Sequence, residues 1–276
     1  MAHGRGAYYL ASVCAQTAID NSGAPPGPPR RQQQGITPIQ WVGLGVLILL
    51  FLYMNGVFGQ GGPVQAFGDL IDQLPFFIAI ILAVTVHEFS HACVATWFGD
   101  DLPRRAGRLT LNPLAHLDPM GSLLFLIAHF GWGKPVPINP GAMRNPNLGW
   151  ALSSVAGPGS NLMSAAIAVS GRVILGPPSD PFLHETLVQF IRISVLLAIF
   201  NLVPLPPLDG FGFVFGLSPR PLKLALVPLQ RYGPFILLAL IFLPTLSRSF
   251  PPVLQVALTA GSNLFFQIMG VQPSAL

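Results

Sequence analysis

Leu74-Pro75-Phe76-Phe77-Ile78-Ala79-Ile80-Ile81-Leu82-Ala83-Val84-Thr85-Val86-His87-Glu88-Phe89-Ser90-His91-Ala92-Cys93-Val94-Ala95-Thr96-Trp97-Phe98 reads as one apolar helix with three ionisable side chains in its second half. A membrane span needs about 20 apolar residues, within a usual range of about 17–25, and this run is long enough. A charge at mid-bilayer costs about 2.5–3.5 kcal/mol, so ionisable residues inside a span default to function. His87 and His91 are at i and i+4, one above the other on a single helix face. Both ring nitrogens can reach one Zn²⁺ from there. Glu88 lies about 100° round the helix, off the ligand position but close enough to act as general base on water.

The whole chain supports a membrane setting. It has 276 residues, of which 51% are hydrophobic and 9% are charged. An ordinary soluble domain carries about 25% Asp, Glu, Lys and Arg. So few charges could not solvate a soluble surface, which excludes a cytosolic globular enzyme, a disordered protein and a nucleic-acid binder. An all-α integral membrane protein is left, with lipid as its main solvent. The net charge of +4 then reports topology, not an acidic partner. Cys14 lies in the N-terminal tail and Cys93 in an apolar run, so they do not form a disulfide framework.

Outward from the histidine helix, residues 1–35 read as a disordered Pro/Gln-rich tail. Residues 36–276 read as one polytopic membrane domain with its core at 74–216. About six transmembrane helices are expected, at Trp41–Phe58, Leu74–Phe98, Leu148–Leu175, Leu187–Leu205, Gly233–Leu246 and Pro252–Met269. The fifth is short and follows an amphipathic surface helix, Pro219–Gln230. Between the second and third, the apolar patch Met120–Phe130 is too short to span and reads as re-entrant or interfacial. Around it, Gly107–Leu111 and Pro135–Ile138 alternate like short strands. Eleven of the 14 basic residues fall in the tail, in the loop after the second span and in the loop after the fourth. The positive-inside rule puts that side in the cytosol, and six spans in the cell membrane then put both termini there.

A catalytic zinc takes three protein ligands and keeps one open position. Asp209 is the strongest third candidate. It ends the stretch Asn201-Leu202-Val203-Pro204-Leu205-Pro206-Pro207-Leu208-Asp209, whose three prolines break the fourth helix at membrane depth. Irregular backbone is tolerated there only where it is buried or lines a cavity. His116, Asp118 and His129 stay open as alternatives. Cys93 is on another helix face, and His184 and Glu185 lie in the opposite loop. The third run carries Ala156-Gly157-Pro158-Gly159-Ser160-Asn161. Asn161 could hold a scissile carbonyl or could simply join two helices by hydrogen bonds.

His87-Glu88-Phe89-Ser90-His91, Gly157-Pro158-Gly159-Ser160-Asn161 and Asn201 to Gly210, in this order, resemble the site-2 protease family of intramembrane zinc metalloproteases. Leu111-Asn112-Pro113, His116-Leu117-Asp118-Pro119-Met120-Gly121-Ser122 and Gly131 to Pro140 resemble it too. The match runs from about Leu74 to Gly216. The resemblance implies one zinc per chain, near the cytosolic face, with ligands His87, His91 and Asp209. It implies Glu88 as the base and Asn161 as support at the reacting carbonyl. Its implied partners are a membrane-embedded protein substrate and the bilayer, with no nucleic acid; oligomeric state is not read from it. The chain reads as a compact form, without the PDZ or CBS domain that many members carry. The rival readings are a catalytically silent membrane binding or chaperone protein of the same fold, a metal transporter, and a zinc protease of the prenyl-peptide type.

Overall fold

A computed structural model describes residues 71–119, 121–122, 133–246 and 252–276. The tail, the expected first span Trp41–Phe58 and most of the Met120–Phe130 patch lie outside the described residues. Among those described, the chain is helical and contains no strand.

Helix α1, Leu74–Trp97, starts with a proline in its first turn and ends in a paired-bond glycine cap. Gly99 takes φ +106°. Its N–H donates to Thr96 O and that of Asp100 to Ala95 O, which satisfies two of the last carbonyls. The short α2, Leu102–Arg105, follows. Helix α3, Pro146–Leu175, opens with Pro146 behind the cap Asn145, whose side chain accepts from Leu148 N. Helix α4, Pro181–Asn201, repeats the device, with Asp180 accepting from Leu183 N. After the proline turn come α5, Asp209–Leu217, then α6, Arg220–Leu246, and α7, Val253–Ile268.

Helices α1, α3 and α4 pack on one another, α5 packs on α3, and α7 leans on α4. The interfaces use small residues; Ala79, Ala83, Ala92, Ala95, Ala151 and Ala165 have no exposed surface. In lipid there is little hydrophobic gain between helices, so close approach of backbones is what holds them together.

Three helices are long and apolar enough to cross a membrane: α1, α4 and residues Arg220–Pro244 of α6. The described residues do not confirm six spans. Pro219–Gln230 and Gly233–Leu246 are one helix, α6, running through Pro228 and Pro234. Helix α7 has 16 residues, short of a span. Helix α3 has 30 residues but is not among the three, because Gly, Ser, Asn and Pro dilute its apolar content. Helices α4 and α5 act as two halves of one broken element. Helix α4 ends at the proline turn, and α5 continues along α3 toward Asn147, where Gly216 meets the backbone of Asn147 and Ala151.

The strand-like segments are also corrected. Leu117 and Gly133 form one isolated antiparallel bridge and nothing more among the described residues. Pro135 and Pro137 have no N–H to give a ladder. Lys134 N donates to His116 O, Val136 N to a side chain, and Arg108 N to Pro103 O, so these donors are not given to a ladder between the two segments.

The C-terminal helix packs along α4. Gly261 meets Ile199, near the end of α4, whereas Phe266 joins Ala165, Val169, Val188, Ile191 and Val195. Helix α7 therefore runs away from the proline turn. Its end, at Gly270–Gln272 and Leu276, lines a cavity with Arg172, Val173 and Pro177, at the far end of α3. Arg192, in the body of α4, donates from Nη2 to Pro273 O at 3.3 Å. The C-terminal turn thus sits at the end of the bundle opposite the basic loop, not on the same side.

Candidate metal centre

Two elements bring three ligand-type side chains together. Helix α1 presents His87 and His91 on its face toward α3, with ring centroids 4.6 Å apart at an interplanar angle of 81°. The proline turn delivers Asp209 as the first residue of α5. Its Oδ2 stands 3.1 Å from His87 Nε2 and 3.3 Å from His91 Nε2. Atoms each about 2.0–2.1 Å from a tetrahedral zinc stand about 3.3–3.4 Å from one another, so these separations fit such an ion. The histidines are buried, and the Asp209 side chain keeps 22% exposure, an approach from solvent.

The surroundings agree with that fit. His91 Nδ1 is 2.6 Å from Ser153 O. A carbonyl only accepts, so Nδ1 carries the hydrogen and Nε2 offers its lone pair toward His87 and Asp209. Gly157 on α3 closes the space above the two rings. A Cβ there would press on His91 Nε2 and lie 2.7 Å from both Cε1 and Nε2 of His87. His87 Nδ1 is buried without a hydrogen-bond partner among the described residues.

The glycines of α5 explain how Asp209 is placed. Gly210 lies against the Leu202 and Val203 backbone, Gly212 against Ser154, and Gly216 against α3. Gly212 and Gly216 form a G-x-x-x-G face that lets α5 approach α3 closely. That spacing was the available sequence signal, and it went unread.

Glu88 is half-buried, one step round α1 from the histidines. Its Oε2 accepts from Val136 N at 3.2 Å. Asn161, one turn beyond Gly157 on α3, has no exposed surface, and neither Oδ1 nor Nδ2 has a partner among the described residues. Holding two helices together would need such a partner.

The other candidates are elsewhere. His116 is fully buried, with Nε2 donating to Thr110 O at 2.8 Å, so it closes the 110–116 loop. Asp118 Oδ1 accepts from Gly121 N. Cys93 is exposed. His184 pairs with Arg172, and Glu185 accepts from Gln189. His129 is outside the described residues. Among the described residues, His87, His91 and Asp209 are the one group of three able to share an ion.

Among curated proteins, the chain is 38% identical over 206 residues to "Putative zinc metalloprotease YwhC" of Bacillus subtilis (strain 168), covering 72% of this chain and 94% of that protein. It is 31% identical over 219 residues to "Putative zinc metalloprotease Rip2" of Mycolicibacterium smegmatis, covering 73% of this chain and 82% of that one. Rip2 of Mycobacterium tuberculosis (strain H37Rv) is 30% identical over 218 residues, with coverage of 73% and 82%. No family model matches, and no solved structure matches.

Proposed function

The chain belongs to the zinc metalloprotease family represented by YwhC and Rip2, and we propose that it is a site-2-type intramembrane endopeptidase that hydrolyses peptide bonds in the transmembrane segments of other proteins. The observation that carries the proposal is the position of Asp209 Oδ2, within 3.3 Å of both histidine Nε2 atoms inside an apolar helix bundle. His87, His91 and Asp209 would hold one zinc, which would supply Lewis acidity toward a peptide carbonyl and lower the pKa of bound water.

The chain's own residues do the rest. Glu88 takes a proton from the attacking water and passes it to the departing amine nitrogen as the C–N bond breaks. Its Oε1 makes no hydrogen bond among the described residues, so it is the oxygen available for that transfer. The unpaired amide of Asn161 donates to the carbonyl oxygen as negative charge develops there. The basic loop faces the cytosol of a cell-membrane protein, and the C-terminal turn faces the other side.

Proteomics of membranes from cells carrying the wild-type chain or Glu88→Gln tests the reading. Membrane proteins cut only with the wild type are expected, while purified Glu88→Gln keeps its zinc. Equal cleavage in both would overturn the mechanism.

A further inference from the structure

The proposed base is not held by its own helix alone. Glu88 is a flexible side chain, and its hydrogen-bond partner is a backbone N–H from a distant segment. That segment, Gly133–Asn139, runs along the second half of α1. Gly133 lies near Val84, Val136 at Glu88, and Asn139 at Asp100. Pro135 and Pro137 flank Val136, so its N–H is the sole donor across those three residues, and both prolines fix their own φ.

The strap is fastened at both ends. At one, Lys134 N donates to His116 O at 2.8 Å, and Arg108 Nη1 reaches Lys134 O at 3.2 Å. At the other, Asn139 N donates to Asp100 Oδ2 at 2.6 Å. Asp100 directly follows the glycine cap of α1 and is 1% exposed. Its second oxygen accepts from Leu102 N at 2.9 Å. No basic side chain pairs with this buried carboxylate among the described residues. A loop tie alone does not call for such a group, since a buried charge is costly.

We propose that Asp100 is a positioning residue for Glu88, acting through the strap: it fixes Asn139, the two prolines carry that constraint to Val136, and the Val136 N–H holds Oε2 so that Oε1 faces the reaction. Helix α1 thus carries the two histidines and the base, and the anchor that aims the base lies just beyond its glycine cap. This inference rests on the protease reading for its kinetic consequence, and on the contact alone for its structural one.

The test uses the full chain in detergent. In metal-free protein, exchange of the Val136 amide is followed by mass spectrometry with residue-level fragmentation. Asp100→Ala and Glu88→Ala should each speed it about 2- to 10-fold, the equivalent of one hydrogen bond. On a membrane protein found cut only in the presence of Glu88, Asp100→Ala should lower kcat about 10- to 100-fold, as a misplaced catalytic group does. KM should stay within about threefold and zinc content should not change. Asp100→Asn, which keeps an oxygen acceptor for Asn139, should recover part of kcat. Val136→Pro removes the donor, and adding Asp100→Ala to it should cost little more. Losses that multiply in the double variant, a change confined to KM, or unaltered amide exchange in Asp100→Ala would each overturn the proposal. If the wild-type chain cuts nothing, the protease reading falls, and amide exchange alone decides the contact.

Discussion

Gly157→Ala adds one methyl group in a helix, a change that intrinsic propensity favours by about 1 kcal/mol. The structure reverses that sign for metal binding. The new Cβ would lie 2.7 Å from both Cε1 and Nε2 of His87, and would press on His91 Nε2 too. Non-bonded heavy atoms rest about 3.5 Å apart or more, so the overlap is about 0.8 Å. Metal–ligand distances tolerate only about ±0.2 Å. Either the rings retreat or α3 moves off α1, and both take a nitrogen out of range. Zinc affinity should fall at least about 100-fold, or about 2.8 kcal/mol. The assay is zinc titration of the metal-free protein against a competing chelator, with circular dichroism to show that the helices persist. Gly159→Ala and Gly171→Ala are the controls, because nothing lies within 4 Å of a Cβ at either position. They should keep zinc and gain stability. Gly157→Ala with zinc affinity within about threefold of the wild type would refute the placement of the ion between α1 and α3.

Asp209→Ala should abolish stoichiometric zinc, and Asp209→Asn should weaken it at least about tenfold, because one oxygen serves both histidines; metal analysis of the purified variants checks this. Asn161→Ala should lower kcat about 10²-fold with zinc retained, as loss of an oxyanion donor does. Its thermal stability should be equal or higher, since an unpaired buried amide is removed; a marked fall in stability with normal kcat would make Asn161 a packing residue. Single cysteines at Ser274 and Ser179, in a chain lacking Cys14 and Cys93, should react with an impermeant maleimide from one face of sealed vesicles, and Arg105→Cys from the other. Labelling of Ser274→Cys from the Arg105 face would contradict the direction of α7.

Period and chemistry coincide in the histidine helix. An i, i+4 pair inside an apolar run has one face to present, and the structure presents it. The break before Asp209 was legible for a similar reason, since three prolines in four residues cannot continue a helix. Other features depended on partners that no local pattern reveals. The alternation at Pro135–Ile138 is real, but the Val136 donor is spent on Glu88, and an extended strap forms where a strand was expected. The direction of α7 turns on contacts such as Gly261 with Ile199 and Arg192 with Pro273, more than sixty residues apart. Pro219–Gln230 and Gly233–Leu246 read as two elements, yet one helix runs through Pro228 and Pro234. Helices in lipid can carry prolines when their neighbours satisfy the freed backbone groups.

The helix that falls short by composition is the one the site needs most. Helix α3 is 30 residues long, long enough to cross, and its shortfall comes from particular positions. Gly149 meets Phe98 and Met143, Ser153 offers its carbonyl to His91, Ser154 meets Gly212, and Gly157 lies over both rings. Asn161 follows on the same face with its amide unpaired. Each of these residues lowers hydropathy, and each allows an approach or a polar contact that a leucine would prevent. The lipid-facing positions compensate, as Met163, Ile167, Val173 and Ile174 are each at least 66% exposed. A hydropathy threshold averages the two faces and so registers the metal-facing one as a weak span. Within an apolar chain, a long helix whose polar and small residues fall on one face is therefore a pointer to an internal site, independent of any histidine motif. Replacing the exposed Met163 and Ile167 with leucine should leave zinc binding unchanged, whereas one methyl at Gly157 should not.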